Sequence, residues 1–522
     1  MAMNFPSASG GFRGRHRWRW WAEIHSLDRG SADVTDLIVG WHTHKSLGEP
    51  AGTFRLTLKP TSAIDGIWFD ALDRVDDDDW VSMGAIDETG RRWVVMLGMV
   101  DQVQRARSGQ AGATTFTISG RDMGKALTRT DILDMPWLGV DLAKGFGSAA
   151  EATDAVNALP TKSPGHLLRR VATYCLAGDT YRGPRRLWGV PQTMEFPPVE
   201  GATVVDRDIR QLSDVLDLGH VRLDLRGIMP GQLAVPIGVG QGGGLWNWAT
   251  QVANGVLNEL HYDLIAHPGR EGDPNAYIMA GNGAVAAPVS PSLRLRERPF
   301  PTLQSTPAGP DGVSGSDRWR SLPVTELDER DLESYTMAHA GAERFDWFLL
   351  EGGGMDLTAR GLAAQIAGQS GDVAVWDAIP SVLLGEAERH GLQRMQQASA
   401  FFDPNAARPE DFDLAVAWTR LIRDWYAPNG RFLSGTAKLP QLAPGIRIGE
   451  RLRVVNVRSG RQTFTEEAYV EGVEHSGMMR PDGSAETGTT VMLTRGWRLE
   501  PGGPDYAGAV EAWLAATFET SE

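Results

Sequence analysis

His42 and His44 stand two residues apart in a chain of 522 residues. On a β-strand that spacing puts both imidazoles on one face, where they could ligate a divalent metal. No third ligand lies close in sequence, so a solvent-facing pair is the simpler reading. Glu386 and His390 sit one helical turn apart, a spacing that suits an acid/base or metal pair and equally an ordinary surface pair. The run Asp76 to Asp79 offers four carboxylates for calcium. It lacks the alternating spacing and closing Glu of a calcium loop, which makes it a solvated turn ahead of Trp80. Gly238-Val239-Gly240-Gln241-Gly242-Gly243-Gly244 is glycine-rich enough to wrap a phosphate, but no Lys-Ser/Thr follows, and a helix-leading loop is the expectation.

The other signatures of catalysis are missing from the sequence. It contains no His-Glu-x-x-His, no Gly-x-Ser-x-Gly elbow, no phosphate-loop lysine and no histidine placed to activate the single cysteine, Cys175. A pair of carboxylates of the glycosidase kind leaves no spacing rule, so sequence alone is silent on it. No catalytic, cofactor-binding or metal-binding residue is assigned, no cofactor is expected, and the chain reads as no enzyme.

Composition narrows the partners. A net charge of −15 leaves little for a stable nucleic-acid surface, which needs clustered Lys and Arg. The exception is Arg13-Gly14-Arg15-His16-Arg17-Trp18-Arg19-Trp20-Trp21, whose interleaved Arg and Trp could stack on bases or lie against a neighbouring subunit. One cysteine excludes an internal disulfide framework and fits assembly in a reducing cytoplasm. No apolar run approaches the roughly 20 residues that span a bilayer, and no secretion signal is evident, so membrane insertion is not expected.

The elements that would carry these residues are mostly strands. From Asp76 to Asp122 three short apolar runs are cut by polar, glycine-bearing turns, the pattern of a β-meander. Phe116 and Ile118 alternate with Thr115, Thr117 and Ser119, and Phe54, Leu56 and Leu58 alternate in Thr53 to Lys59, giving each strand one dry face. Trp20 to Ile24 and Leu37 to Trp41 are further strand candidates. A looser copy of this order follows near the other end: Ile446 to Val455, Ala468 to His475, and Thr489 to Trp497. Two ordinary meanders can share order and period by chance, and a duplicated module explains it as well.

Between the copies the texture changes. Helices are expected from Ser163 through Cys175, along Trp246, Ala249, Ala253, Val256, Leu257 and Leu260, from Ile379 to Phe402, and over Leu414 to Trp425, the last ending at Pro428-Asn429-Gly430. Strands are expected at Tyr277 to Met279, Ser292 to Arg296 and Phe345 to Leu350. A terminal helix follows Pro501-Gly502-Gly503-Pro504.

Asp78-Asp79-Trp80-Val81, Leu97-Gly98-Met99-Val100-Asp101 and Ile118-Ser119-Gly120-Arg121-Asp122 together resemble the first barrel of tail hub proteins from contractile phages, the late-control D or baseplate hub group. Arg423 to Tyr426, Phe432 to Ala437, Ile446 to Gly449 and Tyr469 to His475 resemble that group's second barrel. The resemblance implies an α+β, mainly β chain with two related small β-barrels, an inserted mixed α/β domain and helices, assembling as a pseudo-sixfold trimer. Its expected division is an N-terminal arm (1–30), a first hub barrel (31–130), an inserted α/β domain (131–335), a strand given to the second barrel (336–350), a helical segment (351–430), a second hub barrel (431–500) and a C-terminal helix (501–522). It further implies a homotrimeric adaptor in the virion tail baseplate, assembled in the bacterial cytoplasm. Such an adaptor joins the central spike to the sixfold tail tube or its initiator, touches baseplate wedge proteins, and lines a channel for the tape-measure protein and DNA. A tail-associated cell-wall-degrading enzyme and a glycan-binding β-module are the alternative readings.

Overall fold

A computed structural model describes residues 19–132, 243–266, 278–279, 289–303, 315–352, 388–399 and 420–518, apart from short stretches within them, and the short strands at 2–3 and 222–224. The protein is mainly β. The first meander comprises β1 (Arg19–Ser26), β2 (Gly30–Asp33), β3 (Ile38–Ser46), β4 (Thr53–Leu58), β5 (Trp80–Ile86), β6 (Arg92–Arg107) and β7 (Thr114–Asp122). After the short helix α1 (Gly124–Arg129) come α2 (Leu245–Ala253), β8 (Asn258–Ala266), β9 (Val289–Glu297) and α3 (Gly315–Ser321). β10 (Val324–Asp328) and β11 (Ser334–His339) follow, then β12 (Trp347–Gly352) and β13 (Arg394–Ser399). A helix over residues 420–426 leads to β14 (Leu433–Leu439), β15 (Arg451–Ser459), β16 (Gln462–Met479), β17 (Ala485–Leu499) and α4 (Tyr506–Phe518).

The strands pair in one order twice. Neighbours run β3-β4-β7-β6-β5-β1 in the first half and β11-β14-β17-β16-β15-β10 in the second, and the members of each set occur in the same chain order. Every pairing is antiparallel in both sets except the last, where β1 is antiparallel to β5 but β10 is parallel to β15. The correspondence extends to single residues. β6 bulges at Asp101, between Val100 paired with Gly120 and Gln102 paired with Ser119; β16 bulges at Glu471, between Val470 paired with Leu493 and Gly472 paired with Met492. An extra residue at the same place in both long strands gives both the same local kink.

Each set buries its alternating residues in its own core. Phe54, Leu56, Val81, Phe116 and Ile118 pack in the first; Ala437, Leu452, Val454, Val491 and Leu493 pack in the second. A third cluster joins α3, the 420–426 helix and α4 to β16, with Trp319 stacked on Tyr506 at 4.1 Å between ring centroids.

The two sets belong to one continuous 15-stranded sheet. The join is a seam between β16 and β3, antiparallel, with Gly472 opposite Ser46, Val473 opposite Lys45, His475 opposite Thr43 and Met478 opposite Gly40. β16 can serve both sets because it is long: residues 462–469 lie against β15 and residues 472–478 against β3.

Several sequence expectations change here. The apolar spacing from Trp246 to Leu260 predicts a continuous helix, but α2 ends at Ala253 and Leu260 lies in β8. The Asn258 side chain donates to the Ala253 carbonyl at 2.7 Å, satisfying a helix-end acceptor and turning the chain. Arg394–Ser399, expected in the helix from Ile379 to Phe402, is a strand; Gly391, at φ +79, separates it from the helical turn at 388–390. The run Phe345 to Leu350 contributes to β12, which among the described residues pairs only with β13, in parallel, whereas β11 is the strand that joins the second set from a distance. The helix expected from Ser163 to Cys175, the loop residues 238–242, Leu414, Trp418 and Glu386 lie outside the described residues.

Candidate functional site: the polar junction beneath the strand seam

Along β3 the side chains alternate, and Trp41, Thr43 and Lys45 take the buried side. Lys45 therefore carries an ammonium into the protein where the pattern calls for an apolar group. It is held there by two carboxylates. Its Nζ lies 2.8 Å from Asp263 on β8 and 3.8 Å from Asp122 at the end of β7. Asp122 is fixed in turn by the Gly124 N–H, which donates to its carboxylate at 2.8 Å. Burial pushes Asp122 up to about 6, a rise that Lys45 only partly opposes. Burial also acts to raise Asp263, but Lys45 and Arg447 outweigh it and hold this carboxyl below its usual range.

On the other side of the seam, His475 of β16 is buried, and its Nδ1 lies 3.0 Å from the Thr489 hydroxyl. Burial, reinforced by Arg447 and Lys45, lowers its pKa to about 3, so the ring is neutral. The same Thr489 oxygen accepts the Ala443 N–H at 2.9 Å. Arg447, just ahead of β15, crosses to the first set and donates to the Val94 carbonyl of β6 at 2.9 Å.

A second knot ties in β8 and β9. Arg296 lies 3.0 Å from Glu259 and donates to the Gly449 carbonyl at 2.6 Å and to the Tyr469 hydroxyl at 2.7 Å. Tyr469 donates to Glu259 at 2.6 Å, closing the circuit. Gly449, at φ +73, adopts a left-handed conformation that glycine enters without strain, and it lies beside the Arg296 guanidinium. Glu450 follows in the chain. Burial raises its pKa to about 8 despite the cations of Arg447, Arg294 and Arg296.

Titration points near neutrality are a feature of reaction centres, but burial in packing contacts produces them too. Here the charged groups lie where the first set, the second set and the β8/β9 pair meet. Charge pairs of this kind fix how buried surfaces register more than they add stability. The arrangement can hold three parts of the chain in one relative position.

The residues singled out from sequence lie elsewhere. His42 and His44 do share the more exposed side of β3, and each meets a carboxylate: His42 lies 3.0 Å from Glu474 and His44 3.4 Å from Glu49. Among the described residues, no group of three His, Cys, Asp or Glu is placed to hold a metal ion. His390 lies exposed on its helical turn. Asp79 corrects the solvated-turn expectation: it is buried, and its carboxylate accepts the Asp76 N–H at 2.8 Å. Trp20 and Trp21 are core residues of β1. Gly243–Gly244 pairs with Asp131–Ile132. Among the described residues no helix is long and apolar enough to cross a membrane.

No family model matches the chain, and no curated protein does. Solved structures it is similar to include tail proteins and a complex containing VgrG. One is the tail protein from Neisseria meningitidis MC58, at 11% identity and a TM-score of 0.41, covering 91% of this chain and 96% of that one. Another is the 43 kDa tail protein of prophage MuSo2 from Shewanella oneidensis, at 11% identity and a TM-score of 0.42, with the same two coverages of 91% and 96%. A third is the lidded Francisella PdpA-VgrG complex, at 7% identity and a TM-score of 0.38, covering 92% of this chain and 52% of that one.

Proposed function

We propose that this chain is the structural hub of a contractile phage tail baseplate: a homotrimeric adaptor between the central spike and the sixfold tail tube. The observation that carries this reading is the repeated six-strand order, set twice in one sheet and joined edge to edge by the β16/β3 seam. A chain that carries one module twice offers two near-equivalent faces, and three such chains offer six. A threefold object can then meet a sixfold one without six separate genes' worth of contacts. In this reading each set rolls into a small barrel, the β8/β9 region is part of an inserted α/β domain, and the divisions at 31–130, 131–335 and 431–500 describe the subunit. The rim meets the tube or its initiator, and the helices and the insert meet spike and wedge proteins. An acidic lining passes the tape-measure protein and DNA without retaining them. The role is architectural, with no catalytic group, and its place is the virion tail.

Native mass measurement of the purified full chain tests the reading. A threefold multiple of the subunit mass is expected. A chain that stays monomeric at micromolar concentration, alone and mixed with a purified tail-tube protein, overturns it.

A further inference from the structure

The repeat predicts more than a subunit number. Inside the chain, the second half of long strand β16 finds a partner in β3, the first strand on the path of the other set. The corresponding positions of the repeat are the second half of β6 and strand β11. Residues 102–107 of β6 are paired with β7 on one side, and among the described residues no strand pairs with their other side. β11 pairs only with β14 among the described residues, and Ser334, Thr336, Ala338 and His339 are exposed. Two strand edges are thus open at the two places where the repeat calls for a seam. Open edges are templates for pairing with another chain.

We propose that residues 102–107 of one copy pair antiparallel with β11 of the next, reproducing between chains the seam that β16 and β3 make within one. The register follows from the matched bulges. Val103 corresponds to Val473, because they face Ile118 and Val491, and these in turn face Leu56 and Ala437. Trp41 corresponds to Tyr335, because they face those same two residues. Carrying over the pairs of Val473 with Lys45 and Gly477 with Trp41 puts Val103 opposite His339, Gln104 opposite Ala338, Ala106 opposite Thr336 and Arg107 opposite Tyr335.

Charge agrees with this direction independently. Arg105 and Arg107 are exposed on the β6 edge, and the chain leading into β11 reads Asp328-Glu329-Arg330-Asp331-Leu332-Glu333. In the antiparallel register the two arginines approach that acidic end rather than His339. The contact is heterologous, head to tail, so it propagates from copy to copy until a ring closes.

The inference rests on the hub reading above, and the two fail differently. In a Cys175→Ser background, Gln104→Cys and Ala338→Cys are introduced singly into two tagged versions of the full chain, which are co-expressed and oxidised. Gln104 and Ala338 are both exposed and correspond to the facing, half-buried pair Glu474 and His44, so the fold tolerates the thiols. A reducible heterodimer should form between the two versions, and the double variant should run largely as covalent dimers and trimers. The register-shifted combination Gln104→Cys with Thr336→Cys should give little product. A trimer in native mass measurement without the disulfide, or equal yields from the shifted pair, overturns the proposed register and leaves the hub reading intact. Monomer throughout overturns both.

Discussion

Val100 and Val470 occupy the same position in the two repeats. Each donates its backbone N–H across the sheet at 2.9 Å, Val100 to the Asp79 carbonyl and Val470 to the Glu450 carbonyl, and each is followed by the bulged residue of its strand. The two bulges are solved with different residues opposite them: Gly120 in the first repeat and Leu493 in the second. Gly120 is required because a Cβ there would stand 2.0 Å from the Met99 carbonyl oxygen and 2.7 Å from the Phe54 ring. Gly120→Ala should therefore destabilise the first repeat by about 1–3 kcal/mol, in the range of overpacked core sites. Urea denaturation followed by tryptophan fluorescence measures it, and a loss below 0.5 kcal/mol, the scatter of ordinary surface changes, would contradict it.

The open edge of β6 yields a backbone test. Arg105 corresponds to His475, which faces Thr43 across the internal seam. The Leu47 N–H donates to the Glu471 carbonyl at the head of that seam, which sets the alternation so that the 105 N–H points outward from the β6/β7 ladder. Arg105→Pro removes one donor from the edge and none from that ladder. The far-ultraviolet circular dichroism spectrum should match the parent while sedimentation shows loss of the oligomer. An unchanged oligomer would refute the edge contact.

Lys45 is the cation shared by Asp122 and Asp263. Lys45→Met strands two buried carboxylates and should cost about 3–5 kcal/mol at pH 7.5. Lys45 lowers the Asp122 pKa, so without it Asp122 titrates above its parent value of about 6, and the penalty should shrink as the pH falls toward 6 and the variant's carboxyl takes up a proton. Denaturant midpoints of variant and parent across pH 5–8 provide the comparison; a difference independent of pH would place the energy elsewhere.

Glu450 titrates in the folded protein at about 8, above the value of an unfolded glutamate. The native state therefore holds a proton that the unfolded chain releases. Stability contributed by this group is present in acid and is lost progressively as the pH rises toward 8. Glu450→Gln keeps the neutral shape without that loss. It should flatten the decline and leave the variant more stable than the parent above pH 8, by an amount on the order of a few kcal/mol. Thermal melts at pH 6 and pH 9 read the crossing directly.

Thr489 serves two partners with one oxygen, the Ala443 N–H and the His475 ring. Thr489→Val conserves volume but leaves a buried N–H without an acceptor, at a cost of about 1–3 kcal/mol. The His475 resonances in an NMR pH titration should shift as its contact is lost. Stability equal to the parent would show that another acceptor takes over.

The strands were legible wherever one face is dry. Thr53–Leu58 and Thr114–Asp122 alternate cleanly and fold as their alternation dictates. The second meander could be aligned to the first because period survives where identity does not. Helical spacing misled at Leu260, which lies in β8 beyond the end of α2 at Ala253, in a run whose apolar residues suit either period. The junction was not legible, since its members come from distant segments and no spacing joins Lys45 to Asp263. One signal was available: Lys45 and His475 place ionisable groups at buried positions of strands whose neighbouring inward residues include Trp41 and Val473. A charged residue at an inward position demands a partner, though it does not say which.

The β16/β3 seam sets the order in which this protein can be completed. Ile38–Ser46 leaves the ribosome long before Gln462–Met479, the strand that covers it. At about 5–20 residues per second, that edge stays bare for tens of seconds or more on every nascent chain. Neighbouring polysomes would offer it the wrong β16 during that interval. A bare strand edge is a template for pairing with another chain, so residues 38–46 are the segment at which nascent copies would mispair first.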